Sequence, residues 1–251
     1  MGHAIIREAT AKGHQIVGAV EADGNPAVGR SLKQLDLAES ETCVVGPEKL
    51  ADAAKHADVY LTFTSPAAEA HNLPIVADLG KRIVLGTTGI TEEQSRKIRA
   101  AVETKVPAVF SPNYSIGINV LFKLAQDLKA FPPDYQFSIS EIHHIAKKDA
   151  PSGTALKLGE IISDLRGYTA TVHGRQGTSV RKADELEIVA MRAGGTPGIH
   201  DLVIAGPYEM LRIEHTVFSR DALAQGAIYA AEWLSKQTAP GIYSMATVLG
   251  L

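Results

Sequence analysis

Asp58-Val59-Tyr60-Leu61-Thr62-Phe63, Pro66-Ala67-Ala68-Glu69-Ala70-His71-Asn72-Leu73-Pro74-Ile75-Val76-Ala77-Asp78-Leu79 and Arg82-Ile83-Val84-Leu85-Gly86 follow one another almost without interruption. The first and third stretches are short apolar runs bounded by turn residues, as expected of strands buried on both faces. The middle one opens on Pro66 after Ser65 and is long enough for a helix. Strand, helix and strand in this order make a βα repeat with parallel strands. The pattern continues on both sides. Residues 91–104 read as a helix whose Thr91 and Gln94 have capping-box spacing, and residues 107–111 as a strand. Upstream, residues 2–12 read as a helix, 15–21 as a strand and 47–55 as a helix. The expected class is α/β, a doubly wound parallel sheet with helices on both faces.

From Ser115 the pattern changes. Residues 116–130 read as one long helix and 136–143 as an alternating strand. A helix starts near Pro151, and segments 169–173, 185–192, 201–207 and 209–218 read as strands of an open, antiparallel-type sheet. Residues 194–198, Gly-Gly-Thr-Pro-Gly, read as a turn or loop. Residues 221–236 form a last helix carrying Trp233. The expected organisation is 1–114 plus 221–251 as one domain, with 115–220 inserted as a second, α+β domain.

The chain has 251 residues, 45% of them hydrophobic, and a net charge of −3. This describes a soluble globular protein without the basic excess of a nucleic-acid footprint. The single cysteine, Cys43, excludes an intrachain disulfide and fits a reducing, cytoplasmic location. With nine scattered histidines it offers no zinc spacing, so no metal is expected. No apolar run approaches the roughly 18 residues of a membrane span, and neither a membrane partner nor a leader is expected.

The chemistry concentrates in residues 141–155, Glu-Ile-His-His-Ile-Ala-Lys-Lys-Asp-Ala-Pro-Ser-Gly-Thr-Ala. A histidine titrates near pH 6.5 and can hold a proton at cell pH. Lys147 adds a cation that can pair with a carboxylate or stabilise a developing anion. Ser152, or a residue just before it, is a plausible N-cap, after which the N–H groups of Gly153, Thr154 and Ala155 face an anion. Gly153 would let that anion come close to the backbone. Each part alone has an ordinary explanation: a strand end with one buried and one solvated ring, or a simple cap. Their combination suits protonating and holding a small anionic substrate.

Glu-x-His-His-x-x-Lys-x-Asp-Ala-Pro-Ser-Gly-Thr-Ala resembles the signature of the dihydrodipicolinate reductase (4-hydroxy-tetrahydrodipicolinate reductase) family, complete at every fixed position. The resemblance extends through Phe63-Thr64-Ser65-Pro66, Gly86-Thr87-Thr88-Gly89, Asn113 to Asn119, Glu214-His215 and Ser219-Arg220. It implies NAD(P)H-dependent reduction of a cyclic imine dicarboxylate in diaminopimelate and lysine biosynthesis, by a homotetramer joined through the second domain's sheet. It implies His143 as proton donor and Lys147 as its charged helper. His144, Ser152, Gly153 and Thr154 would hold the substrate carboxylates. Arg220 is a further candidate, with a surface ion pair as its alternative.

For the cofactor, the resemblance implies a Rossmann-type first domain. Glu21, nineteen positions after Gly2, has the spacing of the acid that binds the adenosine ribose, although a strand-end acid can also be merely solvated. Arginine often follows this acid in the family and can meet a 2′-phosphate. Ala22 and Asp23 stand here, so NADH is expected to be preferred over NADPH. Phe63, Thr64, Gly86, Thr87, Thr88, Ser111, Pro112, Asn113 and Tyr114 would line the cofactor; read alone, their loops serve turn geometry. The family's phosphate loop reads Gly-x-x-Gly-x-Met-Gly. Its last two residues match Met1 and Gly2, which places its first strand upstream of this sequence. The expectation that follows is a marginal first domain, restored by upstream residues. Two rival readings are another nicotinamide-dependent amino-acid dehydrogenase and a non-catalytic binding protein that has lost its cofactor loop.

Overall fold

The computed structural model describes residues 1–251, which divide into two compact units. Met1–Ser115 with Leu223–Leu251 form the first, and Ile116–Ala222 the second.

In the first unit, strands β3 (Val59–Thr62), β4 (Arg82–Leu85), β5 (Pro107–Phe110) and β11 (Gly241–Tyr243) form a parallel sheet in the order β11-β5-β4-β3. Alternate residues of β4 point to opposite faces. Ile83 and Leu85 pack on Leu73, Val76 and Ala77 of α3 (Pro66–Asp78) and on Ile98 and Val102 of α4 (Glu92–Val102). Val84 packs on Ala227, Ala230 and Leu234 of α7 (Asp221–Leu234) and on Met245 and Val248 of α8 (Met245–Leu249). Both faces are therefore covered, which is why these strands are apolar throughout. Thr91 caps α4 with the reciprocal Gln94 bonds that the sequence predicts.

The parallel sheet is not continuous. Expected strand 15–21 is reduced to β1 (Ala19–Val20), paired with β2 (Val44–Val45), which the sequence reading missed. This two-stranded ladder is separate from the four-stranded one. Helix α1 (Gly2–Ala11) packs Ile5 and Ala9 on Ala224 and Ile228 of α7, beside Ile16, Leu61 and Phe63. Short helix α2 (Leu50–Ala54) follows a 3-10 turn, and β11 and α8 are further elements without a sequence expectation.

The second unit holds β6 (Gln136–His143), β7 (Ala170–Val172), β8 (Glu185–Arg192), β9 (Gly198–Ala205) and β10 (Met210–Val217), in the order β10-β9-β6-β8-β7. The expectation of an antiparallel-type sheet is corrected to a mixed one. β6 pairs antiparallel with β9 but parallel with β8, because α6 (Gly153–Arg166) crosses over between them. α5 (Ile116–Gln126) is shorter than expected, with a 3-10 turn at Leu128–Ala130. It packs with α6 on one sheet face, over Phe137, Ile139, Leu186, Ile188, Leu202 and Ile204. No helix is long and apolar enough to cross a membrane.

Candidate active site

The period of β6 decides what surrounds His143. Phe137, Ile139, Glu141 and His143 share the face under the helices, so the apolar core ends in a carboxylate and an imidazole. Register supplies the rest: Glu141 stands opposite His200 on β9, and His143 opposite Arg192 on β8. Glu141 is 0% exposed, His143 8% and His200 3%.

Glu141 divides its two oxygens between two tasks. Oε1 accepts from the Ser152 backbone N–H at 2.9 Å and from both terminal nitrogens of Arg192 at 3.2 Å. Oε2 lies 3.4 Å from His143 Nδ1 and 3.5 Å from His200 Nε2, without a hydrogen bond to either. The rings of His143 and His200 meet edge to face, 5.1 Å between centroids. Burial alone would raise the Glu141 carboxyl. The facing His200 and Ser152 side chains, the hydrogen bond from the Ser152 N–H and the His143 charge outweigh it and bring the pKa down to about 2. Burial lowers the His143 pKa, and charges on His200, Lys147 and Arg192 add to this against the opposing Glu141, leaving it at about 4. His143 is therefore a neutral imidazole at neutral pH. Glu141, His143 and His200 together present ligand atoms within 4.8 Å of one another, and the cation beside their carboxylate is Arg192.

Ser152 joins this cluster to α6. Its Oγ accepts from Ala155 N–H as the N-cap and lies 3.2 Å from His200 Nε2. Nothing comes within 4 Å of the place where a Cβ on Gly153 would be, so the helix start is open beside that residue. Thr154 follows in the first turn. His144 is half-buried beside the cluster. Lys147 Nζ is paired with both oxygens of Asp149, at 2.8 and 2.9 Å. Arg192 fixes the intervening loop by donating to the carbonyls of Lys147 and Asp149. Arg220 is exposed, immediately before α7.

The cofactor candidates sit in the first unit, mostly at the carboxyl ends of β3, β4 and β5, where open α/β sheets place ligands. Several of them are turned into the protein. A Cβ on Gly86 would lie 2.0 Å from the Phe63 ring, so Gly86 is the space that ring occupies. Phe63 meets Tyr114 edge to face at 5.4 Å. The Tyr114 hydroxyl faces the carbonyls of Leu85 and Val109 at 2.8 and 2.9 Å, and burial raises its pKa well above the usual phenol value. Ser111 Oγ donates to Asn113 O, and Asn113 Oδ1 accepts from Ser115 N–H, shaping the turn around Pro112. Thr64 and Thr87 face Glu69, whereas Thr88 is exposed. Glu21 is exposed after β1, one oxygen accepting from Ala22 N–H. Met1 and Gly2 start α1, whose N-cap has no side-chain bond.

Glu141 was quoted in the motif without a role, although its alternation with His143 was legible. His200 and Arg192 were missed because only strand register brings them to the site.

Comparison with known proteins finds two family models that together span nearly the whole chain. Residues 1–114 match the family model described as dihydrodipicolinate reductase, N-terminus, and residues 117–249 the one described as its C-terminus. The 4-hydroxy-tetrahydrodipicolinate reductase of Methanosarcina barkeri is 46% identical over 196 residues, 78% of this chain and 74% of that protein. The protein of the same name from Trichlorobacter lovleyi is 36% identical over 257 residues, 100% of this chain and 95% of its own. Among solved structures, a dipicolinate-bound dihydrodipicolinate reductase from Paenisporosarcina sp. TG-14 superposes with a TM-score of 0.71 at 22% identity, covering 97% of this chain and 94% of its own. An amine dehydrogenase from Mycobacterium smegmatis reaches 0.67 at 15% identity, covering 98% and 92%. At those identities the structures speak for the fold, and the two family models with the full-length relatives speak for descent: the chain belongs to the dihydrodipicolinate reductase family.

Proposed function

We propose that the chain reduces 4-hydroxy-tetrahydrodipicolinate, by way of the cyclic imine dihydrodipicolinate, to tetrahydrodipicolinate in diaminopimelate and lysine biosynthesis. The observation that carries this reading is the division of labour on Glu141. One of its oxygens holds the start of α6, and the other faces His143 and His200. A group able to hold a proton and a helix start able to hold a carboxylate are thus parts of one buried unit.

The first unit is the dinucleotide-binding half in this reading. Exposed Glu21 suits a ribose hydroxyl, exposed Thr88 can reach a ligand, and the open N–H groups at the start of α1 suit a phosphate. A bound reduced nicotinamide supplies hydride. Ala22 and Asp23 after Glu21 offer a 2′-phosphate no cation at those positions, which favours NADH over NADPH.

The second unit binds substrate. N–H groups of Gly153 and Thr154, with His144 and Ser152, take the carboxylates, and Arg220 is the more distant candidate for the same duty. A dicarboxylate brings two negative charges towards a neutral, buried imidazole, so its binding raises the His143 pKa and draws a proton onto that ring. Hydride addition at the far end of the conjugated system leaves an enamine, and His143 protonates the neighbouring carbon. Glu141 and His200 keep the His143 ring oriented. Lys147, exchanging Asp149 for a substrate carboxylate, positions the ring and stabilises charge.

The second unit also supports the homotetramer. Its helices cover one sheet face only; the other carries Ile142, Val189, Met191, Ile199, Val203 and Met210 with no helix over it. The exposed single thiol of Cys43 suits the cytosol. The test is NADH consumption with enzymatically generated cyclic imine. Turnover with that compound and not with amino acids supports the reading, and the reverse assigns the chain to the amino-acid dehydrogenases.

A further inference from the structure

Glu69 has no place in the chemistry above, yet it is among the most committed side chains of the first unit. It lies in the first turn of α3 with its side chain 0% exposed. Its Oε1 accepts hydroxyl protons from three threonines: Thr62 at 2.7 Å, Thr64 at 2.6 Å and Thr87 at 2.5 Å. Thr62 ends β3, Thr64 lies in the loop beyond it, and Thr87 lies in the loop after β4. The Thr87 oxygen is engaged a second time, accepting from Thr64 N–H at 2.7 Å.

A hydroxyl has one proton to give. With the Thr64 and Thr87 protons both on Glu69, neither side chain can donate to a ligand without breaking this arrangement. The two loops are instead cross-linked through one carboxylate, at a helix N-terminus where the dipole favours negative charge. Hydrogen bonds to a charged acceptor are the strong ones, and removing the acceptor would leave three hydroxyls to find new partners. The neighbouring Thr88 is exposed and has no part in the clamp.

We propose that Glu69 is a positioning residue for dinucleotide binding, holding the Thr64 and Thr87 loops so that their backbone and Thr88 meet the cofactor. This rests on the reading of the first unit as the dinucleotide-binding half. The experiment measures dissociation constants for NADH, KM for the dicarboxylate, and thermal melting in Glu69→Gln and Glu69→Met. Gln keeps an oxygen that can accept the three protons; Met keeps the volume and removes the acceptor. The expected result is at least a tenfold weaker NADH Kd for Glu69→Met, an unchanged dicarboxylate KM, and a Gln variant within about threefold of the parent. Should the Met variant not fold, Thr64→Val removes one strand of the clamp and is expected to weaken NADH in the same selective way. NADH affinity equal to the parent's in a folded Met or Val variant overturns the proposal, as does an equal loss for NADH and dicarboxylate. A parent protein that binds neither NADH nor NADPH overturns the dinucleotide reading itself, and with it the role of Glu69.

Discussion

At the scale of single residues, the site depends on an imidazole that burial keeps neutral beside a carboxylate that hydrogen bonds keep charged. This has a consequence for stability. The folded His143 pKa, about 4, lies below its unfolded value of about 6.5, so below pH 6.5 the unfolded chain takes up a proton that the folded one refuses. Stability is full above that pH and is lost as pH falls towards 4, by something on the order of 2–3 kcal/mol. His215, also lowered by burial, acts in the same direction, and Glu141 adds a further loss between 4.5 and about 2. Tm should therefore fall between pH 6.5 and 4, and His143→Gln should make that fall shallower; an unchanged slope would show that His143 is not held neutral. The motif was legible because six of its candidate residues, His143, His144, Lys147, Ser152, Gly153 and Thr154, lie within twelve positions. His200 and Arg192, 57 and 49 positions beyond His143, were not, since no local pattern specifies a strand's register.

Among the elements, the loops after β3 and β4 show how packing shapes a loop. Gly86 is required by the Phe63 ring, 2.0 Å from a would-be Cβ. Gly86→Ala should displace that ring from Tyr114 and destabilise by about 1–3 kcal/mol, the range for overpacked cores. A melting temperature within a degree of the parent's would mean that the ring relocates freely. At the end of β1, Ala22→Arg should raise kcat/KM for NADPH relative to NADH by offering the 2′-phosphate a cation. An unmoved ratio would show that the adenosine ribose does not lie beside Glu21. The βα repeats of residues 58–110 were readable because both-face burial demands continuous apolar runs. The mixed sheet was not, because strand direction follows the α6 crossover rather than anything in the strands. β9 was read as starting at Asp201, which left His200 outside it; Gly198 and its neighbours look like loop residues when read alone.

For the whole molecule, the two-unit division follows the change of pattern near Ser115 and the return of the chain through α7. The uncovered face of the second unit's sheet should join copies of the chain. Light scattering should report a tetramer, and Met210→Lys with Met191→Lys should reduce it to smaller species; a monomeric parent would remove this face as an interface. The central claim is that His143 delivers the proton that completes reduction of the cyclic imine. Its most direct test is His143→Gln, with kcat and the NADH dissociation constant measured on the same preparation. The account predicts a kcat lower by about 10²–10⁴ with NADH affinity nearly unchanged. Turnover within about threefold of the parent would contradict it.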